Sequence, residues 1–181
     1  STYIMSRFQD RELGFMWKCT ICTLLEPLDE TTVGVEFIHQ QDDQLSVRPQ
    51  YDLKIREYEV EEAKGLLRNF IQKLNNLEGR EFENWIEKSF DIDLFLRALA
   101  ARTAMGDWDS HWVNNNNYYL YFHTANQKVY FVPHDFDGAL ARSGLVEDPV
   151  MRNPFIFGSY HMGKPLVYKL LNNPKYRARY R

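Results

Sequence analysis

Two short acidic segments and a run of asparagines carry the residue types in this chain that could do chemistry. The first segment holds Asp107 and Asp109, and the asparagines 114–117 follow it. The second segment holds Asp135 and Asp137. Carboxylate and amide oxygens are the ligands that hard divalent cations prefer, and no soft ligand accompanies them here. We therefore interpret the two segments as the lining of a site for a divalent cation that is itself bound to phosphate.

Hydrophobic periodicity predicts three helices ahead of the first acidic segment. Apolar residues recur at helical spacing over 60–75, and the pattern repeats from Phe82 to Phe90. A third helix, Ile92–Met105, is mostly apolar, with Asp91 as its N-cap and Gly106 as its C-cap. Its apolar composition predicts that this helix is the central one, and it leads directly into the acidic segment.

A β-hairpin is predicted between the two acidic segments. Its strands are Tyr118–Phe122 and Lys128–Val132, joined by a turn at 123–126. The remaining predicted segments, in chain order, are strands at 13–25 and 33–39, an extended piece at 51–58, a loop at 139–162, and helices at 165–171 and from 174 onward. The order of these elements predicts an α+β fold in which helix dominates.

Composition sets limits on the class of protein. A chain of 181 residues with 44% hydrophobic content can bury one core, so we expect a single domain over 1–181. The net charge of −3 favours no nucleic-acid partner. No apolar run reaches the ~18 residues that a membrane span requires. The chain begins at Ser1 without a signal-peptide pattern, and we expect it to be a piece of a longer protein.

The two cysteines form a C-x-x-C sequence at Cys19 and Cys22. Redox pairs of this spacing usually open a helix after a strand, whereas these residues lie inside an apolar run, 15–25, with the composition of a strand. We interpret them as two small residues in or near the core, with a disulfide or redox pair as the alternative. No histidine pair has the spacing that would complete a zinc site.

The order and spacing of the polar residues match the requirements of phosphoryl transfer. That reaction needs a metal ion held against nucleotide phosphates and a carboxylate near the acceptor hydroxyl. In eukaryotic-type kinases an Asp and an Asn five residues later lie in a loop after a helix, and a hairpin then leads to a metal-chelating Asp. Here Asp109 and Asn114 have that spacing, and Asp135 follows the hairpin.

Several of the polar residues also have a purely structural interpretation. Asp107 follows Gly106 and is predicted to cap or solvate a turn. The asparagine run has partly the composition of a turn, because Asn tolerates left-handed backbone. The histidines 111, 123 and 134 are predicted to be surface or hydrogen-bonding residues, and the tyrosines 118, 119, 121 and 130 to be packed strand residues.

Three central motifs resemble the spore coat protein H (CotH) kinase family of atypical, secreted or surface-associated kinase-like proteins. They are Trp108–Ser110, Asn116–Tyr121 and Pro133–Asp137, although His134 stands where Trp is common in the family. Weaker similarity lies at 7–14, 17–19, 51–54 and 165–180, so the resemblance covers essentially the whole chain.

The resemblance implies roles for individual residues. Asp109 would be the catalytic-loop carboxylate, and Asn114 or Asn117 the loop amide that binds the metal. Asp135 would be the metal-chelating Asp of a motif similar to Asp-Phe-Gly, here Asp-Phe-Asp, with Asp137 as a second ligand. The implied cofactor is ATP with Mg or Mn. The implied substrate is Ser or Thr of a secreted or coat protein, at the cell surface or in the spore coat.

The resemblance is to the carboxyl-terminal lobe of such a kinase alone. Residues 1–10 are similar to the sequence that follows the nucleotide hinge, so the upstream lobe is expected as a missing partner. Lys18 and Lys54 are not assigned as the phosphate-binding lysine, and weak or no catalysis is expected of the isolated lobe. Two alternatives remain: a structural or adhesive module that keeps the kinase scaffold without catalysis, and a metal-dependent hydrolase of another fold.

Overall fold

The computed structural model of the chain describes residues 14–35, 49–140 and 164–180. The predictions on 1–13, 36–48 and 141–162 lie outside these ranges. The elements are β1 (Gly14–Cys19), β2 (Val33–Gly34), β3 (Tyr51–Ile55), α1 (Val60–Asn76), α2 (Gly79–Ser89), α3 (Ile92–Ala104), α4 (His111–Asn114), β4 (Tyr118–His123), β5 (Lys128–Pro133), α5 (Pro165–Asn172) and α6 (Pro174–Tyr180). This mixture of one sheet and several helices agrees with the predicted α+β class.

A five-stranded sheet in the order β2-β3-β1-β4-β5 organises the described residues. All neighbouring strands are antiparallel except β2 and β3, which are parallel. The central strand β1 places Trp17 opposite Leu53 on β3 and Leu120 on β4. The predicted hairpin is confirmed as β4 and β5, and it forms the side of the sheet that leads to the second acidic segment.

The first strand is shorter than the sequence predicts. The prediction of strand over 13–25 is wrong beyond Cys19, because the backbone there leaves the sheet. Ile21 and Leu24 adopt left-handed φ angles of 57° and 59°, which a strand cannot contain. The Cys22 N–H donates to the carbonyl of Asn115 at 2.9 Å, so this piece of backbone is tied to the asparagine run instead.

The predicted helices are confirmed within one or two residues at most of their ends. Helix α1 buries one face, composed of Ala63, Leu67, Phe70, Ile71 and Leu74. Pro165 begins α5 at its first turn, as predicted. The ammonium group of Lys169 on that helix donates to the carbonyls of Asn75 and Leu77 at 2.9 and 2.7 Å, which satisfies the end of α1. Among the described residues, no helix is both long and apolar enough to cross a membrane.

The core is rich in aromatic side chains packed between the helices and the sheet. The rings of Phe95 and Phe131 meet edge to face at 5.0 Å, and Tyr118 stacks on Phe131 at 4.9 Å. Cys19 and Cys22 are both fully buried and free, which confirms their interpretation as small core residues. Burial raises the pKa of the Cys19 thiol, and a buried neutral thiol is a poor nucleophile.

Helix α3 is fixed at both of its ends. At its start the Asp91 carboxylate accepts a hydrogen bond from the Leu94 N–H at 2.9 Å, which confirms the predicted N-cap. The Asp91 N–H donates to the carbonyl of Val129 at 3.0 Å, which attaches the helix to β5. At its end Gly106 has a φ of 62°, the conformation for which the sequence predicted glycine. The helix therefore delivers the chain to the first acidic segment at a defined place.

Replacement of the capping residue is expected to destabilise the fold. Asp91→Ala removes the acceptor for the Leu94 N–H and should lower the free energy of unfolding by about 0.5–2 kcal/mol. Asp91→Asn keeps an oxygen in the same place and should stay close to wild type. Urea denaturation followed by circular dichroism measures both variants, and equal losses for the two would show that the cap does not act through the hydrogen bond.

Candidate functional site

A one-turn helix that the sequence did not predict, α4, lies in the loop between α3 and β4. It is followed by two left-handed residues, Asn115 at φ 56° and Asn117 at φ 58°. Asparagine tolerates this conformation better than most residues, so part of the asparagine run does serve the turn, as predicted. This tight turn leads the chain into β4 and brings Asn117 next to Asp109.

Three asparagine side chains surround the carboxylate of Asp109. The amide of Asn114 donates to it at 3.2 Å, that of Asn116 at 3.2 and 3.3 Å, and that of Asn117 at 2.9 Å. Asn117 also donates to the Asp109 carbonyl at 2.8 Å. These bonds use the nitrogen of each amide, which leaves each amide oxygen for another partner. The structure thus brings together Asp109, Asn114 and Asn117, which the sequence singled out, with the Asp109 carboxylate held in place by hydrogen bonds.

Arg102, near the end of α3, is a site residue that the sequence analysis missed. Its guanidinium is buried, with 4% of the residue exposed, and forms an ion pair with Asp107. It also donates to three backbone carbonyls: His134, Asn117 at 3.3 Å and Asp135 at 3.2 Å. The available signal was an arginine in the last turn of a mostly apolar helix, five residues ahead of the first of two carboxylates.

Asp107 is buried, and the prediction that it solvates a turn is therefore wrong. It has no exposed surface and accepts a hydrogen bond from Arg102. Burial raises the pKa of Asp107, and the guanidinium of Arg102 and the N–H of Asp109 oppose that rise. A buried carboxylate is tolerated only when it is paired and hydrogen-bonded, so Asp107 and Arg102 depend on each other.

The second acidic segment leaves the sheet at the end of β5 and meets the asparagine run. The His134 N–H donates to the carbonyl of Asn117 at 3.1 Å, which joins the two loops. Asp135 has a left-handed φ of 58°, and its carboxylate is exposed and accepts the Asp137 N–H at 3.4 Å. A non-glycine residue in that conformation stores strain, which often marks a functional site. Asp137 is exposed as well.

The aromatic residue of the second segment lies over the arginine. Phe136 is 44% exposed, and its ring lies 4.1 Å from the Arg102 guanidinium carbon. This cation–π contact places a flat apolar surface beside the two exposed carboxylates. The sequence analysis noted Phe136 as unusual for a solvated turn but did not predict its partner.

Within the described ranges, no three His, Cys, Asp or Glu side chains are grouped closely enough to hold a metal ion by themselves. Asp109, Asp135 and Asp137 are thus not a carboxylate-only cluster. A cation bound here would need amide oxygens or the oxygens of a bound phosphate to complete its shell, which is the usual mode for magnesium.

The three histidines differ in their surroundings. His111 is 3% exposed and packs against Phe95, Tyr118 and Phe131, so the prediction of a surface or hydrogen-bonding residue is wrong for it. Neither of its ring nitrogens has a hydrogen-bond partner in the described part of the chain. Burial, with smaller contributions from Lys164 and Arg102, lowers the pKa of His111 to about 3.

His134 is half-buried beside the ring of Tyr119, 4.5 Å away between centroids. Burial and Lys18 lower the pKa of His134, and Asp135 partly opposes them. His123 lies at the end of β4 and accepts a hydrogen bond from the Asn126 N–H at 3.5 Å, as predicted for a hydrogen-bonding residue. The predicted packing of the tyrosines is confirmed for Tyr118 and Tyr121, which are fully buried.

Comparison with known proteins places these features in a family. The sequence profile of the family described as CotH kinase protein matches residues 26–181. The chain therefore belongs to the CotH kinase family, as the motifs indicated. It is also similar to the protein named Invasin CotH3 of Rhizopus delemar, with 31% identity over 99 residues. That match covers 51% of this chain and 16% of the invasin, so the chain corresponds to a small part of that relative's length.

Replacement of Gly138 is expected to destabilise the fold, because a side chain there would press against the first acidic segment. A Cβ at this position would lie 3.1 Å from the Asp107 carboxylate, 3.1 Å from the Trp108 indole nitrogen and 3.3 Å from the Asp109 Cβ. Gly138→Ala should lower the free energy of unfolding by about 1–3 kcal/mol, because the ion-paired Asp107 cannot move aside.

Gly65 is the matched control for this substitution. It lies exposed in α1, and a Cβ there would meet nothing within 4 Å. Gly65→Ala should raise the free energy of unfolding by about 0.5–1 kcal/mol, because alanine is the better helix former. Thermal and urea unfolding of the two variants should move in opposite directions. Stabilisation by both would show that the site loop has room for a methyl group.

The buried neutral His111 is expected to make the protein less stable in mild acid. The unfolded chain takes up a proton near the ordinary histidine pKa of about 6.5, whereas folded His111 stays neutral until about pH 3. Stability should therefore fall as the pH drops below about 6.5, by up to about 1.4 kcal/mol per pH unit from this group. Urea unfolding from pH 7 to 5 should show a smaller slope for His111→Phe than for wild type. An unchanged slope would show that His111 is protonated in the fold, and His123→Gln is the control.

Proposed function

We propose that this chain is the carboxyl-terminal lobe of a CotH-type protein kinase, which transfers a phosphoryl group from Mg-ATP or Mn-ATP to Ser or Thr of a secreted or coat protein. The observation that carries the proposal is the joined arrangement of the two acidic segments. Asp109, held by three amides, follows a buried helix, and the hairpin β4–β5 leads from it to Asp135. Family membership supports the kinase-like scaffold.

The residues present fit a nucleotide-bound divalent cation. The candidate ligands are all hard oxygen donors, namely the exposed carboxylates of Asp135 and Asp137 and the amide oxygen of Asn114 or Asn117. When bound, the metal would neutralise the phosphate charge that develops during transfer. With few carboxylates close together, the phosphates themselves would supply part of the coordination shell.

The role proposed for Asp109 is to orient the acceptor hydroxyl and take its proton. Such a base must be held within hydrogen-bond reach of the hydroxyl, and its geometry matters before its basicity does. The amides of Asn116 and Asn117 hold both carboxylate oxygens of Asp109. The side chain is therefore preorganised before any substrate arrives.

Asp135 is proposed to present its carboxylate to the metal from the other loop. Its backbone carbonyl accepts from Arg102, while its carboxylate accepts only the weak 3.4 Å bond from Asp137 among the described contacts. The backbone of this residue is thus fixed and its side chain is exposed. Asp137 is proposed as a second ligand from the same loop.

The proposal includes a partner lobe and a location for the activity. A single kinase lobe forms one wall of a nucleotide cleft, so catalysis would require the upstream lobe as partner. The relative of which this chain covers 16% is named an invasin, which supports a secreted or surface-associated location. The spore coat is the alternative location that the resemblance of the sequence motifs implies.

A structural or adhesive module is the second candidate. Two observations favour it: the relative is named an invasin, and the described acidic residues do not form a complete metal cluster by themselves. In that case the exposed Asp135, Phe136 and Asp137 would contact a partner protein rather than a nucleotide. Nucleotide binding separates the two candidates.

Substitutions of Asp135 and Asp109 should have different effects on nucleotide binding and on phosphoryl transfer. Titration calorimetry with Mn-ATP is carried out on this chain and on a longer chain extended upstream to include the expected lobe. We expect the extended chain to bind with an affinity that Asp135→Asn weakens at least tenfold, because a metal ligand is lost. Asp109→Asn should leave binding within about threefold and lower phosphoryl transfer by about 100-fold or more.

Asp29→Asn is the control, because this residue caps a short 3-10 helix at Glu30–Thr32 and Asn can keep that cap. It should leave both binding and transfer unchanged. If the extended chain binds neither Mg-ATP nor Mn-ATP, the kinase proposal fails and the adhesive module becomes the better explanation.

A further inference from the structure

We propose that Arg102 is the positioning residue that holds the two acidic segments in one fixed relation, so that neither loop keeps its geometry without the other. The inference rests on the proposed function for its consequence in metal binding. Its structural part stands on the contacts of Arg102 alone. Arg102 contacts no reacting group in this structure and acts through the loops that it holds.

The guanidinium contacts the backbone or side chains of both segments at once. One terminal nitrogen pairs with the Asp107 carboxylate in the first segment. The other donates to the Asn117 carbonyl, at the end of the asparagine run, and to the carbonyls of His134 and Asp135 in the second segment. The most distant of these partners in sequence, Asp135, lies 33 residues after Arg102.

Arginine is chemically suited to this role and lysine is not. The guanidinium is a planar group with five N–H donors, so it can serve several acceptors in fixed directions while one face stays free for stacking. Here the face of the group lies under the Phe136 ring at 4.1 Å. A lysine ammonium has three donors around a point and no flat face, so it cannot satisfy the same set of acceptors.

Burial makes these contacts obligatory. Arg102 and Asp107 expose 4% and 0% of their surface, so removal of the guanidinium would leave the buried Asp107 carboxylate and the carbonyls of His134 and Asp135 without this donor. Burial lowers the pKa of Arg102, and the charges of Asp107, Asp135 and Asp109 oppose that shift. All three aspartates that act on the guanidinium belong to the two segments that it joins.

Helix α3, which carries Arg102, is held in place by hydrogen bonds near Arg102. Next to it, Thr103 donates to the Leu99 carbonyl at 2.8 Å and accepts from the Tyr180 hydroxyl of α6 at 3.4 Å. Arg97, one and a half turns earlier on the same helix, is exposed and contacts only the Asp93 carbonyl among its described hydrogen bonds. It therefore provides a matched control with the same charge and the same helix.

Hydrogen exchange followed by mass spectrometry tests the structural part. In Arg102→Lys, peptides that cover 107–117 and 133–138 should both exchange about tenfold faster, equivalent to about 1.4 kcal/mol of lost protection. Peptides from α1 should be unchanged, and Arg97→Lys should match wild type throughout. Faster exchange in one segment only, or in neither, would overturn the proposal.

A second variant covers the case in which Arg102→Lys does not fold, as judged by circular dichroism. Phe136→Leu removes the ring over the guanidinium, and because Phe136 is 44% exposed the core remains intact. Faster exchange in both segments of Phe136→Leu supports the proposal. Exchange equal to wild type in both segments contradicts it.

Manganese affinity, measured by electron paramagnetic resonance of free Mn²⁺ without nucleotide, tests the consequence for the site. Arg102→Lys should weaken the affinity about 10–100-fold, the usual effect of losing a group that orients metal ligands. Asp135→Asn should also bind Mn²⁺ more weakly, but its hydrogen exchange in residues 107–117 should equal that of wild type. Equal Mn²⁺ affinity in Arg102→Lys and wild type would overturn the positioning role.

The two measurements separate the inference from the proposed function. If wild type binds no Mn²⁺ while Arg102→Lys speeds hydrogen exchange in both segments, the proposed metal site is wrong and the positioning role of Arg102 is supported. If wild type binds Mn²⁺ and Arg102→Lys speeds hydrogen exchange in neither segment, the proposed metal site is supported and the positioning role of Arg102 is wrong.

Discussion

The buried pairing of Arg102 with Asp107 is the interaction on which the arrangement of this site depends. A buried charged side chain must be paired with an opposite charge, and its other polar atoms need hydrogen bonds. Without them the free energy of unfolding falls by several kcal/mol. The two terminal nitrogens of Arg102 find their acceptors only when the end of α3, the asparagine run and the exit of β5 all lie next to it, while its Nε has no partner among the described residues. The need to satisfy one guanidinium therefore fixes the relation of three pieces of chain that could otherwise move separately.

The aromatic core also supports the loop that follows α3. The rings of Phe95, Tyr118 and Phe131 surround His111 at the start of α4, so the loop that carries Asp109 rests on packed rings. Gly138 lies close to the same segment, since an added Cβ there would come within 3.1 Å of the Asp107 carboxylate. Between these contacts the loop has little freedom, which is the condition that the proposed role of Asp109 as a base requires.

Local chemistry predicted most of the framework. The repeat of apolar residues identified α1, α2 and α3, and the polar turn between two apolar runs identified the hairpin β4–β5, because both patterns act over a few residues. The spacing of Asp109, Asn114 and Asp135 indicated a site for the same reason, since the elements between them have fixed lengths. The end of β1 could not be predicted, because Cys22 bonds to Asn115, a residue 93 positions away in the numbering.

The order of elements, the caps of α3, the candidate ligands and the family can all be read from the residues in their sequence order. The partners of the charged groups cannot. The sequence predicted a solvated turn at Asp107, but this residue is buried against Arg102. It predicted a surface or hydrogen-bonding role for His111, but aromatic rings enclose this side chain. Periodicity reports which side of an element is apolar, whereas burial and pairing of single polar groups depend on contacts between distant segments, and these exist only once the chain has folded.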